Sequence, residues 1–187
     1  MIIKKITLIL IILISIKTYS QKCKTDKDPF TNEKITSFDF YNKTVYFETK
    51  NDSIKFDIKF NYWGERKYEF DEGAEILIKL ENGSKIHLKT IKQSKPIIEN
   101  VTSSSNGPFF PGFGGGFGTT SSENFTAYSF TFLLNKTELK RLAESKIDII
   151  RIPDTDEGEH VDLKAKGRTK KKIKAIQKGA TCMSEKI

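Results

Sequence analysis

Two cysteines, two histidines, two methionines and one tryptophan in 187 residues leave few of the side chains that bind metals or attack substrates. Such a supply leaves almost nothing for a zinc cage, an iron–sulfur centre or a disulfide-dense miniprotein. No G-x-S-x-G elbow occurs, so the common Ser–His hydrolase grammar is missing. Long apolar runs are missing too. The longest, Ile6 to Ile16 broken only by Thr7 and Ser15, has eleven residues, whereas a bilayer-spanning helix needs about 20. No internal repeat is found. What is present is 37% hydrophobic and 30% charged residues with a net charge of +8, enough apolar material for one domain and too little chain for several.

The apolar run follows Lys4 and Lys5 and ends near small residues, the shape of a secretory signal peptide. Residues 1–20 are therefore expected to be a signal, cleaved near Ser20-Gln21, with a retained anchor as the alternative. A lipoprotein junction would need a small residue before the cysteine, and Lys22 stands there. Cleavage removes Lys4, Lys5 and Lys17 and leaves +5 on residues 21–187. That charge is uneven: residues 21–162 carry −3 and the tail from Leu163 carries +8. The expected location is outside the cytoplasm, periplasmic or secreted, with no transmembrane segment after cleavage.

Cys23 and Cys182 lie near the two ends of the mature chain. In an oxidising compartment a lone pair of this kind is most simply a disulfide. A redox-active thiol or an intermolecular link is the alternative, but neither cysteine has a CxxC-type spacing or a neighbouring His.

Hydrophobic alternation predicts the architecture. Residues 54–62, IKFDIKFNY, alternate without a break and predict a strand with one buried face. Ile35–Tyr41 and Thr44–Thr49 predict shorter strands joined at Asn42-Lys43. AEILIKL (74–80) and KIHLKTI (85–91) flank an Asn-Gly turn, the clearest hairpin signal in the chain. Pro96–Val101, Phe125–Leu134, IDIIRI (147–152) and His160–Leu163 add further strands. Asn135 with Glu138 predicts a capped helix carrying Leu139, Leu142 and Ala143 inward. A last helix is expected over Arg168–Lys178, with Ile173 and Ile176 inward and Gly179 ending it. The predicted fold class is α+β: a mainly antiparallel β-sheet with two short helices in the C-terminal third, one domain over 21–187. Within it, residues 103–123 are dominated by Gly, Ser, Thr and Phe and are expected to form a flexible insertion.

Cys23 with Asp28-Pro29-Phe30-Thr31, LKRLAESKIDIIRI (139–152) and Cys182 resemble segments of uncharacterised exported proteins of bacteroidete-type bacteria, with Asn32 where those proteins carry Gly. No activity is assigned to them. The resemblance implies an exported location and the cysteine pair.

Chemistry is sparse. DTDEGEHVD (154–162) approaches an EF-hand loop, but Gly158 stands fifth where sixth is required and Ala165 occupies the twelfth position. A solvated turn is the preferred reading, and no metal or cofactor is expected. His87 and His160 lie in strand-like alternations and are expected to be structural. Glu65, Glu69, Asp71, Glu72 and Glu75 cluster beside Tyr62 and Trp63, a composition that could serve glycan hydrolysis if two carboxylates met at a fixed separation. The Gly-rich stretch 112–118 lacks the strand–loop–helix context of a dinucleotide site. Phe109, Phe110, Phe113 and Phe117 on it are candidate anchors for a partner, against the plainer reading of a disordered hairpin insertion. Lys170, Lys171, Lys172 and Lys174 are the candidate contact residues of a basic tail suited to an anionic surface component, against the plainer reading of a solvated helix face. Export and the absence of interleaved aromatics speak against nucleic acid. The expected function is a non-catalytic binding protein of the cell envelope, whose partner is an envelope protein or an anionic surface component. A small secreted glycan-acting hydrolase and a purely structural envelope component are the alternatives.

Overall fold

The computed structural model describes residues 23–50, 53–106, 118–154 and 158–186, with side chains left undescribed over 103–121. Ten strands and two helices occur among them: β1 (Lys24–Lys27), β2 (Lys34–Phe40), β3 (Val45–Lys50), β4 (Ser53–Trp63), β5 (Glu75–Leu80), β6 (Lys85–Lys89), β7 (Ile97–Asn106), β8 (Gly118–Leu134), α1 (Lys136–Glu144), β9 (Ile147–Pro153), β10 (His160–Lys164) and α2 (Gly167–Ser184). The fold is mainly antiparallel β-sheet, with both helices in the C-terminal part, as the alternation predicts.

The strands form two sheets, one of six in the order β1-β2-β3-β4-β8-β7 and one of four in the order β10-β9-β5-β6. In the larger sheet the period-two pattern sends every second residue to one face. Register then aligns these residues across strands, with Phe38 opposite Phe47, Phe47 opposite Phe56 and Phe56 opposite Phe132. The result is a row of four phenylalanines across β2, β3, β4 and β8, with the Phe47 and Phe56 rings stacked at 4.5 Å. All four are buried. Each contributes roughly 1.5–3 kcal/mol by burial alone, and facing aromatic pairs add to that. From the smaller sheet, Ile76, Ile78, Leu80, Ile86, Leu88, Ile147, Ile150 and Ile152 join the same continuous core.

Helix α2 lies on the β2–β3 part of the aromatic face. Gly179 is the point of closest approach: a Cβ built there would sit 2.5 Å from Phe47 Cδ2 and 2.8 Å from Phe38 Cδ1. This corrects the expected helix end. Gly179 does not stop the helix, which continues to Ser184; the glycine is there because the phenylalanine rings leave no room for a side chain. The extra turn carries Cys182, which forms a disulfide with Cys23 at a Cα separation of 5.9 Å.

The insertion is also shorter than expected. β7 and β8 pair without interruption from Ile97↔Ala127 to Asn106↔Gly118, so residues 103–106 and 118–123 belong to a long hairpin. Serine and threonine runs lack the apolar alternation that marks a strand, yet their backbones pair as well as any, and threonine is β-branched. Strand β1, KTDK, carries no sequence signal, since four polar residues show no periodicity.

Candidate functional site

Three regions carry the sequence-derived candidates. The first is α2. Its inward side is formed by Ile173, Ala175, Ile176, Gly179, Ala180 and Met183. Lys170, Lys171, Lys174 and Lys178 are exposed, and among the described residues none of them forms an ion pair. Positions 170, 174 and 178 recur every fourth residue and so share one side of the helix. The first turn of α2 holds no acidic residue, and its N-cap, Lys166, makes no side-chain capping bond. Cations at the positive end of a helix dipole are unfavourable by a few tenths to about 1 kcal/mol each. The effect bears on Arg168 and Lys170 in the first turn; Lys174 and Lys178 lie beyond it.

Lys172 belongs to a different environment from its neighbours. It precedes Ile176, Gly179 and Met183 at intervals of four, seven and eleven, which places it on the buried side. Its ammonium donates to the backbone carbonyl of Lys59 and lies over the Phe60 ring, 4.5 Å from the centroid. Burial, with the charge of Lys59 adding to it, lowers the Lys172 ammonium from its ordinary 10.5 to about 8. Of the four lysines expected to meet a partner, Lys172 is thus removed from that role: it is a packing residue. The spacing to Ile176 was the available signal, hidden within a run of three consecutive lysines.

The second region is the glycine-rich segment. Phe109, Phe110, Phe113 and Phe117 lie outside the described residues.

The third is the acidic group at 65–75. Its members are engaged separately. Glu65 accepts from Asn124 Nδ2 at 2.7 Å, Glu69 pairs with Lys95 at 3.6 Å, and Glu75 meets His87 Nδ1 at 3.3 Å. No two of these three share a partner. The segment 64–74 instead ties the two sheets together. Arg66 packs 4.5 Å over the Tyr62 ring and meets Asp154 Oδ1 at 2.6 Å. Tyr62 donates to the Pro153 carbonyl at 2.6 Å, and Tyr128 donates to the Tyr68 carbonyl at 2.7 Å. Tyr68 also donates to the Asp154 carbonyl. Burial pushes the Tyr62 phenol far above its ordinary range, so it stays protonated and serves as a donor. Asp154, the first acid of the loop that resembles an EF-hand, is thus committed to Arg66. Beyond it, Asp154 N–H donates to the Glu159 carbonyl at 2.8 Å, and Gly158 takes φ +88°. Asp154, Gly158 and Glu159 lie in the connection between β9 and β10, in line with a turn, and residues 160–162 open β10.

An open groove of about 470 Å³ runs between the helices, with Leu139, Ala143, Thr181 and Ser184 along it. Lys140 and Glu144 at its rim pair with each other at 3.8 Å, which leaves it without a dominant charge. No helix among the described residues is long and apolar enough to cross a membrane. Comparison of the chain with protein-family models, with curated proteins and with solved structures finds no match in any of the three.

Proposed function

We propose that the chain is an exported, non-catalytic binding protein of the cell envelope and that the outward face of α2 is its contact surface for an anionic component. One observation carries this reading: Lys170, Lys171, Lys174 and Lys178 stand exposed, on one polarised helix, with no carboxylate neighbour paired to any of them among the described residues. Some exposed lysines elsewhere are paired, as Lys79 with Asp148 is; those of α2 are set apart by standing together on one helix, in a tail whose one acid is Glu185. The disulfide supports an oxidising location, and the resemblance to exported proteins of bacteroidete-type bacteria agrees with it. Lys172 is not part of the surface.

The test is a crosslinked pull-down from envelope extract with residues 21–187, at low and high salt, using the parent chain and Lys170→Glu/Lys171→Glu/Lys174→Glu. The expected result is a component retained by the parent at low salt, lost at high salt, and lost in the triple variant. Exposed charge attraction is screened over about 10 Å at 0.1 M. Retention by the triple variant would sink the α2 surface, and retention at high salt would move the contact to Phe109, Phe110, Phe113 and Phe117. In parallel, Glu69→Gln/Asp71→Asn/Glu72→Gln should leave binding unchanged. Loss of function in that variant would favour glycan hydrolysis instead.

A further inference from the structure

The two sheets have four open edges among the described residues: β1 and β7 in the larger, β10 and β6 in the smaller. Three of them carry the features that keep edges from pairing with other chains. β1 is KTDK, β6 is KIHLK and β10 is HVDLK. Each is four or five residues long and holds at least two charged side chains. β7 differs on both counts. It runs ten residues, IIENVTSSSN, with Glu99 as its only charge, no proline and no register shift against β8. Ile97, Ile98 and Val101 on it are 54%, 51% and 50% exposed.

Backbone alternation shows which of its groups are open. Asn124 accepts from Gly64 N–H at 2.9 Å on the β4 side of β8, and Thr131 accepts from Ile91 N–H at 2.9 Å on the other side. Even positions of β8 therefore bond toward β4 and odd ones toward β7. Through the register Phe125↔Glu99 and Glu123↔Val101, odd positions of β7 bond to β8. The N–H and C=O groups of Ile98, Asn100, Thr102 and Ser104 face the open edge.

We infer that this edge pairs with the β7 edge of a second copy of the chain, antiparallel about a two-fold axis through Val101. In that register position 98 falls opposite 104 and position 100 opposite 102, so the open amides and carbonyls meet one another. Val101 meets its own copy at a non-hydrogen-bonded pair, the site where cross-strand side chains come closest. Glu99 falls opposite position 103, so the two ionised groups do not oppose each other. Its charge is also balanced locally by the ion pair with Lys59. Trp63, 66% exposed and packed edge-on against Phe125 at 4.8 Å, extends the apolar outer face next to the edge. A long strand whose single charge is neutralised within its own sheet, and whose axis position is a valine, fits its own copy. Edge addition of this kind is a common mode of strand recognition.

Sedimentation velocity on residues 21–187, disulfide intact, tests the assignment from micromolar to millimolar concentration. The parent chain is expected to dimerise. Val101→Lys and Val101→Glu, which put like charges across the axis, should each weaken dimerisation by about tenfold or more. An equimolar mixture of the two should dimerise again, because opposite charges then face each other. Val101 is half exposed, so both variants fold; near-ultraviolet circular dichroism checks this. Ile98→Pro removes an open-edge donor and spares the β8 ladder, so it should be monomeric and folded. A monomeric parent throughout the range, single variants that still dimerise like the parent, or a mixture that stays monomeric would each overturn the pairing.

Discussion

At the residue scale, two positions on α2 carry consequences that composition conceals. Replacing Gly179 by Ala would raise intrinsic helix propensity by up to about 1 kcal/mol. Contact with the Phe47 and Phe38 rings at under 3 Å outweighs that gain. Gly179→Ala is expected to destabilise the fold by about 1–3 kcal/mol, measured by urea denaturation; a more stable variant would show that the helix can lift off the rings. Lys172 yields a prediction with a sign. Its folded value of about 8 lies below the ordinary 10.5, so between these pH values the unfolded chain holds a proton that the folded chain has released. The penalty of burying the charge is fully present below pH 8 and is relieved as pH rises toward 10.5. Lys172→Met should raise stability near neutral pH by at most about 3 kcal/mol and should flatten the rise across that window. It should leave capture of the anionic component unchanged, since the ammonium is held against the Phe60 ring and the Lys59 carbonyl.

At the scale of elements, short-range rules hold where local chemistry is sufficient. Asn135 accepts from Glu138 N–H at 2.8 Å, and Glu138 accepts from Asn135 N–H at 2.9 Å, a reciprocal cap readable from two letters three apart. Asn135→Ala should lower stability by about 1 kcal/mol in thermal unfolding, and Asn135→Ser should restore most of it. Asn32 takes φ +58°, in the left-handed region that asparagine enters more readily than most residues. The β4 alternation and the β5–β6 hairpin were equally legible. The ends of β7 and β8 were not, because Ser, Thr and Gly carry no apolar period and only the partner strand reveals their pairing. Nor was the inward role of Lys172, whose long aliphatic stem lets a charged residue occupy an apolar stripe.

At the scale of the whole molecule, the sequence specified which residues face the core but not which strands are neighbours. β4 pairs with β8 across more than sixty intervening residues, and the four-phenylalanine row exists only once that pairing is made. For the candidate surface, the basic helix was legible, while the separation of its lysines into outward and inward sets required the sheet beneath it. The Cys23–Cys182 bond spans 159 positions. Chain-entropy reasoning gives it roughly 5 kcal/mol as an upper figure. Cys23→Ser/Cys182→Ser is expected to lose 2–5 kcal/mol by that same reckoning, as about the range seen for such staples. Calorimetry with and without reductant would show it, and an unchanged midpoint in the double variant would remove the disulfide from the account of stability.

The position of α2 has a further consequence, for the order in which the protein is made. The strands β2 and β3 emerge soon after β1, and they present Phe38, Phe40, Val45 and Phe47. The helix that covers them comes after every strand in the chain. Until the last helix is made, then, the earliest apolar face has no lid and the first cysteine has no mate. A chain stalled before residue 167 would display an open aromatic sheet and a free thiol together, the two marks by which quality-control machinery could tell an unfinished molecule from a finished one.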